Sequence, residues 1–269
     1  MIRYSNQEGF IRPQGIKFRE GQDSNIILPK VAIGVFSRHL FYDLVEKFSC
    51  NEVGYLSCAN MERNVYVLKY KDTEFTLFMA GVGGCFISSD IEELYKQGVE
   101  KFVIFGNCGV LDKTIEDCSI IIPTKGFRDE GVSYHYAPAS DTIDINPKYK
   151  DIFINILNSH NFDYRLGYTW TTDAFYREAI DSIVYFKNNG AICVEMEGTV
   201  IAAVCNRLGI DYFTFYYAGD NLDSTVWDER SLSGLVNIDK KKEVVYLALN
   251  LALELNKNKY SLKKKKNNL

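Results

Sequence analysis

Metal-binding and disulfide-forming residues are sparse in this sequence. Its 269 residues include three histidines, His39, His135 and His160, which lie far apart and have no cysteine pair beside them. A protein metal site needs several such ligands close together, so no metal is expected. The seven cysteines are an odd number and form no Cys-x-x-Cys pair, which favours free thiols in a reduced, cytoplasmic chain.

Excess positive charge is also absent. The formal net charge is -4, so the chain lacks the broad basic surface that binds a nucleic-acid backbone. Lys263 to Lys266 form the one dense basic run, and we predict that they belong to a solvated, flexible tail, residues 258–269. Nucleic acid is therefore not an expected partner.

Long apolar runs are missing as well. The first residues contain no apolar core of the kind that signal peptides have, and the richest late run, Val244 to Leu255, is interrupted by Asn250 and Glu254. We therefore expect no membrane partner.

The composition is that of an ordinary globular domain, with 46% hydrophobic and 25% charged residues. The five prolines are scattered, and no linker or internal repeat divides the chain. We predict one domain over residues 1–269, in which residues 1–28 form an N-terminal extension.

Short apolar runs alternate with segments of helical periodicity, which predicts an α/β fold. The predicted strands are 31–36, 65–70, 75–80, 101–105, 118–123, 191–194 and 212–217, and the predicted helices are 40–48, 87–97, 147–159, 199–208 and 239–255.

Two carboxylates follow predicted strands. Glu197 comes after strand 191–194, at the start of a helix, and Asp220 comes after strand 212–217. Either residue alone is compatible with simple helix capping. Because ligands collect beyond the carboxyl ends of parallel strands, the two together predict a polar small-molecule site.

Two glycine-rich segments, 81–84 and 106–109, also follow predicted strands. Glycines permit close backbone approach, and the amides at a helix start attract anions. The first segment is not the dinucleotide-binding fingerprint, because Phe86 stands where that motif needs its third glycine.

Taken together, these segments resemble the nucleoside phosphorylase family, which includes bacterial hexameric purine nucleoside phosphorylases, uridine phosphorylases and methylthioadenosine nucleosidases. The matching residues are Gly34 with Arg38, the two glycine turns, Thr171 to Tyr176, Val194-Glu195-Met196-Glu197 and Gly219-Asp220. The likeness extends from about residue 30 to about residue 255.

The resemblance implies a single α/β domain around a twisted, mixed and partly barrel-like sheet flanked by helices. It also implies a homo-oligomer, a dimer or a hexamer built as a trimer of dimers, whose active sites are shared between subunits. Nucleoside and inorganic phosphate would be the substrates, and no other cofactor is implied.

The sugar and base contacts carry over by position. Glu197 would accept hydrogen bonds from the ribose hydroxyls, and Met196 would pack against the sugar. Phe175 would lie along the base, while Val194 and Gly219 would help to form the base pocket.

The resemblance also implies the acid. Asp220 matches the aspartate that protonates N7 of a departing purine, and Arg230 would assist it. A carboxyl group in an apolar cleft stays protonated to higher pH than in water, as a general acid near neutral pH requires.

The phosphate site matches the family less well. Gly34 and Arg38 correspond to the phosphate-binding glycine and arginine, and Arg63 is a candidate for the arginine that an adjoining subunit donates. Ile104 stands where phosphorolytic relatives usually have a second arginine. Asn107, which is also expected to contact the phosphate, stands where they have serine or threonine. Two loop arginines, Arg128 and Arg177, would be the substitutes for the missing one.

The resemblance leaves four functions open. The preferred one is phosphorolysis of a purine nucleoside to free base and ribose 1-phosphate, as a nucleoside-salvage pentosyltransferase. A uridine phosphorylase is an alternative, although the segment after Phe175 lacks the glutamine that usually reads the pyrimidine. A phosphate-independent nucleosidase is another, favoured by Ile104 but disfavoured by Arg38, and a non-catalytic binding protein is the last.

Overall fold

A computed structural model describes residues 4–257 of the chain. The predicted basic tail, residues 258–269, lies outside the described residues. Within them, the N-terminal extension packs on the rest of the domain, because Ile16 and Leu28 are buried and Lys17 pairs with Tyr55.

Ten strands and seven α-helices alternate along the described chain. The strands are β1 (Val31–Val35), β2 (Asn51–Cys58), β3 (Met61–Tyr70), β4 (Thr73–Met79), β5 (Lys101–Val110), β6 (Ile120–Asp129), β7 (Thr142–Asp144), β8 (Tyr164–Thr172), β9 (Ala191–Glu195) and β10 (Asp211–Asn221). The helices are α1 (Arg38–Lys47), α2 (Gly84–Lys96), α3 (Ser133–Tyr136), α4 (Lys150–Ser159), α5 (Ile180–Asn188), α6 (Gly198–Leu208) and α7 (Ile238–Lys257).

The strands form one mixed sheet, part of which closes on itself. The pairing runs β10-β6-β8-β9-β5-β1-β4-β3-β2, and β10 also pairs with β5 in parallel. Strands β5, β10, β6, β8 and β9 therefore form a closed ring, from which the remaining strands extend as an open sheet. The predicted mixed, partly barrel-like sheet is confirmed.

Two cores cover the faces of this sheet. Strand β1 shows the division, since Val31, Ile33 and Val35 pack with α1, α4 and α7, whereas Ala32 packs with α2 and α6. A parallel strand buried on both faces reads as a continuous apolar run, and VAIGV is one.

Several boundaries differ from the predictions. Strands β2, β7 and β8 and helices α3 and α5 were not predicted, and β5 and β10 continue well past their predicted ends. The segment 106–109, predicted as a turn, lies inside β5, because it pairs with β10 on one side and β9 on the other. Its glycines do not form a turn. They leave space in which neighbouring side chains approach the strand.

Candidate active site

One cavity of about 120 Å³ collects most of the predicted sugar and base contacts. It lies where β5, β9 and β10 come together, and Phe175, Val194, Met196, Glu197 and Asp220 all line it. The expected convergence of Glu197 and Asp220 is thus found. Further lining residues are Phe36, Val82, Asn107, Cys108, Gly109, Glu178, Glu195 and Leu232.

Glu195 fixes the junction between β9 and α6. Its carboxylate accepts hydrogen bonds from the hydroxyls of Thr169 (3.0 Å), Thr171 (2.5 Å) and Tyr216 (3.0 Å), and from the amides of Glu197 (2.7 Å) and Gly198 (2.5 Å). A buried carboxylate at a helix start is stabilised by such donors and by the helix dipole. Glu195 therefore holds the backbone that presents Met196 and Glu197 to the cavity.

The neighbouring carboxylate, Glu197, is buried but accepts few hydrogen bonds from the protein. The amide of Gly83 donates to its Oε1 at 2.6 Å, and burial together with the charge of Glu195 raises the pKa of Glu197 to about 8. The glycine turn predicted to hold an external anion thus binds this carboxylate, and the amide of Gly81 binds Asp90 in the same way (2.9 Å).

Asp220 lies in the last part of β10, beside β5. Its Cα is in register with that of Gly109, after a bulge that follows Ala218. A β-carbon added to Gly109 would lie 3.2 Å from Oδ1 of Asp220, so glycine is what allows this approach. Burial raises the pKa of Asp220, and a hydrogen bond from the indole of Trp227 to Oδ2 (2.8 Å) opposes that rise.

Arg230 does not make the predicted contact with Asp220. Its guanidinium donates to the carbonyl of Ile115 (2.8 Å) and pairs with Asp228 (3.3 Å), so it affects Asp220 only through its charge. The direct partner is Trp227, which the sequence analysis missed. It belongs to an irregular loop, where no periodic pattern indicates which side chain faces the site.

Glu178 is a second missed residue of the cavity. It follows the 3-10 turn Phe175–Arg177, and its side-chain carboxyl makes no hydrogen bond or ion pair within residues 4–257. Burial and the nearby charge of Asp220 raise the pKa of Glu178 to about 7. A half-buried carboxyl without a protein donor is a common feature of functional sites.

The predicted phosphate residues are less well assembled. Asn107 lines the cavity, but Gly34 and Arg38 do not. Gly34 is packed so tightly that a β-carbon would lie 2.6 Å from the ring of Phe78, and Arg38 is exposed, with its guanidinium 5.7 Å from the ring centre of Tyr42.

Two other arginines are engaged elsewhere. Arg63 is 5% exposed and forms a double ion pair with Asp90 (2.6 Å for each contact), which speaks against its predicted role in an adjoining subunit. Arg128 is also buried, and it donates to Ser133 (2.8 Å) and to the carbonyl of Pro138 (2.7 Å). Arg128 is therefore not free to replace the arginine missing at position 104.

Two further residues named from the sequence, Arg177 for the phosphate site and Gly219 for the base pocket, do not line the cavity. Arg177 is exposed, and Gly219 packs against Asn107 while its carbonyl accepts a hydrogen bond from the amide of Ser231 (3.1 Å).

Within residues 4–257, no three histidine, cysteine or acidic side chains form a metal-binding group. None of the helices described there has the length and apolarity needed to cross a membrane.

Comparison with known sequences gives a consistent result. Residues 30–254 match the family model described as the phosphorylase superfamily. A guanosine phosphorylase of Halorubrum lacusprofundi is 26% identical over 58% of this chain, a match that spans 64% of the relative, slightly less than two thirds of its length. A DeoD-type purine nucleoside phosphorylase of Bacillus cytotoxicus is 24% identical over 74% of this chain and 85% of its own.

Solved structures show the same fold. Purine nucleoside phosphorylase from Toxoplasma gondii, in complex with immucillin-H, superposes with a TM-score of 0.75 at 18% identity, covering 93% of this chain and 99% of that one. AMP nucleosidase from Bacteroides thetaiotaomicron gives a TM-score of 0.69 at 16% identity, covering 87% and 91%.

Proposed function

Because the chain belongs to the phosphorylase superfamily, we propose that it is a nucleoside phosphorylase that cleaves purine nucleosides with inorganic phosphate. The products are the free base and ribose 1-phosphate. The family identified from the sequence is confirmed. The observation that supports the proposed reaction is the meeting of Glu197, Phe175 and Asp220 in one small cavity.

The chemistry of these groups fits the reaction. Cleavage of the bond between C1′ and N9 leaves negative charge on the base and positive charge on the sugar. A proton from Asp220 to N7 makes the base a better leaving group, and burial, by raising the pKa of Asp220, keeps that proton available at higher pH. Glu197 holds the ribose hydroxyls, so that the sugar stays in register with the acid.

Phosphate is the proposed nucleophile, and it would form the new bond to C1′. We assign it to the side of the cavity near Asn107 and Phe36. Arg38, at the start of α1, would bind it after turning in from its exposed position beside Tyr42. Arginine suits phosphate because its planar donors match two phosphate oxygens.

The test is to incubate the protein with inosine, guanosine, adenosine, uridine and methylthioadenosine, with and without phosphate. The proposal expects release of purine base that depends on phosphate, with ribose 1-phosphate as the second product. Faster release from uridine would contradict the purine preference, and absence of release from every nucleoside would contradict enzymatic function.

The acid role has its own test. Asp220→Asn removes the proton and keeps the shape of the side chain, so kcat for purine nucleosides should fall by about 100-fold or more while KM changes little. Unchanged turnover would show that Asp220 is not the acid.

A second candidate is a nucleosidase, in which water replaces phosphate. The observation in its favour is that no arginine lines the cavity within residues 4–257, since Arg63 and Arg128 are buried in other contacts. Base release that is independent of phosphate would select this alternative.

Location and assembly remain proposals as well. All seven cysteines are free thiols, which supports the cytoplasmic location proposed from the sequence. A homo-oligomer is supported by the exposed apolar side chains beside the cavity, among them Tyr176 and Ile180.

A further inference from the structure

Trp227 is the only side chain within residues 4–257 that donates a hydrogen bond to the side chain of Asp220. Its indole nitrogen lies 2.8 Å from Oδ2 and leaves Oδ1, on the side of Gly109, without a side-chain donor. The two carboxyl oxygens therefore have different environments: Oδ2 is bound to the loop that follows β10, and Oδ1 lies beside Gly109, which lines the cavity.

The residue expected in this place was an arginine. Arg230 is turned towards Ile115 and Asp228, and a neutral indole occupies the position beside the acid. The difference matters, because a cation in contact with a carboxyl group lowers its pKa strongly, whereas a neutral donor lowers it less. A neutral partner stabilises the anion formed after proton transfer without removing the proton beforehand.

We propose that Trp227 is a positioning residue for the acid of the reaction, in place of the arginine that the family resemblance implied. This inference rests on the proposed function. In the step itself, the bond between Oδ1 and its proton breaks as the bond between N7 and that proton forms. The electron pair of the bond between C1′ and N9 leaves with the base, and a phosphate oxygen bonds to C1′. The indole holds Oδ2 throughout, so that Oδ1 points at N7.

Other charged or titratable groups face Asp220, and a substitution at Trp227 alters none of them. They are Glu178 after β8, Arg230 and Asp228 of the loop, and Cys108 of β5. A change in the pH profile of a Trp227 variant therefore reports the lost donor.

Two variants separate the effect of the indole hydrogen bond from the effect of the aromatic ring that covers Asp220. Trp227→Phe keeps an aromatic ring and removes the donor, so kcat should fall by about tenfold to a hundredfold with little change in KM. The high-pH limb of the kcat profile should move to higher pH, because the carboxylate loses a stabilising donor and its pKa rises. Trp227→Gln keeps a neutral donor without the ring. The high-pH limb of its kcat profile should therefore lie closer to that of the unmodified protein than the limb of Trp227→Phe does.

The matched control is Val226→Ala, because Val226 is the preceding loop residue and is 77% exposed. Its kcat and pH profile should equal those of the unmodified protein. Thermal unfolding of each variant checks that the fold is intact.

A readout without turnover completes the design. Trp227 is one of two tryptophans in the chain, and the other, Trp170, is buried, so binding of free guanine or hypoxanthine should change the emission of Trp227 in the unmodified protein and not in Trp227→Phe. Carboxyl-carbon NMR should show a higher pKa for Asp220 in Trp227→Phe.

The outcomes are distinct. If the unmodified protein releases no base, the proposed function fails, while the NMR comparison still tests the pairing of Trp227 with Asp220. If Trp227→Phe turns over normally with an unshifted profile, the positioning role is wrong.

Discussion

Glu178 lies where the cavity of Asp220 meets a second, more open cavity. That second cavity is lined mainly by apolar side chains, including Tyr176, Ile180 and Trp227. A carboxylate only accepts hydrogen bonds, whereas the protonated form also donates one. Because the pKa of Glu178 is about 7, its hydrogen-bonding character changes near neutral pH.

We predict that Glu178 makes base preference depend on pH. Above its pKa, the carboxylate accepts from the ring N–H of guanine or hypoxanthine, and below it the protonated form suits the bare ring nitrogen of adenine. The ratio of kcat/KM for guanosine over adenosine should therefore rise between about pH 6 and about pH 8, and Glu178→Gln should abolish that rise. Glu229→Gln, an exposed loop change of the same kind, is the control. An identical pH dependence in Glu178→Gln would refute the role.

The residues that sequence could predict are those at ends of regular elements. Glu197 follows a strand and begins a helix, and the hydrophobic periodicity of the sequence predicts both of these elements. Trp227 and Glu178 lie in irregular segments, where a sequence does not show which way a side chain points. Arg63 shows a different difficulty, since the sequence does not indicate whether an arginine binds a ligand or pairs with a buried aspartate.

At the scale of elements, the contact between β5 and β10 sets the position of Asp220. Glycines suggested that β5 ended near Gly106, but pairing on both sides extends it to Val110. The sequence pattern contained the glycines, and only the structure reveals that Gly109 makes room for Asp220 and Leu222, and Gly106 for Phe36.

Gly109→Ala tests that spacing. The new β-carbon would lie 2.5 Å from Leu222 and 3.2 Å from Oδ1 of Asp220, so Leu222 must shift and the Asp220 carboxyl must give by a few tenths of an ångström. We expect kcat to fall by about tenfold to a hundredfold, because small displacements of reacting groups are costly. Gly209→Ala is the control, since it has open space at the end of α6 and costs only backbone strain of about 1–2 kcal/mol. Equal activities of the two variants would contradict the argument.

The ion pair of Arg63 and Asp90 joins β3 to α2. We predict that Asp90→Asn lowers the free energy of unfolding by about 3–5 kcal/mol, because it leaves a buried guanidinium without its counter-charge. Denaturant unfolding measures the change. Arg63→Met combined with Asp90→Leu should recover much of it, since an apolar pair avoids the cost of burying charge.

The same double variant decides the phosphate role of Arg63. If that arginine only supports the fold, the KM for phosphate should stay near its original value once stability is recovered. A large rise in that KM, with the KM for nucleoside unchanged, would restore the role that the resemblance implied.

At the scale of the whole molecule, the alternation of strands and helices was sufficient to predict the fold class. The closed ring of β5, β10, β6, β8 and β9 was expected from the family resemblance, because periodicity gives strands but not their partners. Long-range pairs such as β10 with β5 join residues more than 100 positions apart, and no local pattern encodes them.

The surface beside the cavity yields the last prediction. Tyr176, Ile180 and Tyr185 are between 60% and 93% exposed, and they lie on the 3-10 turn that begins at Phe175 and on α5. Apolar groups concentrated around a site favour association with another subunit. We predict that the chain forms a homo-oligomer through this surface, and light scattering coupled to size exclusion should give a mass that is a multiple of 30.8 kDa.

Ile180→Asp should weaken this association, because burying an unpaired carboxylate in an interface is costly. If a neighbouring subunit completes the active site, the variant should lose activity in parallel with its loss of mass on dilution. Ile27→Asp, a change at another exposed isoleucine in the N-terminal segment, should alter neither quantity. A fully active monomer of the unmodified protein would contradict both the association and the sharing of sites, whereas an inactive but still oligomeric Ile180→Asp would place the effect of Ile180 within its own subunit.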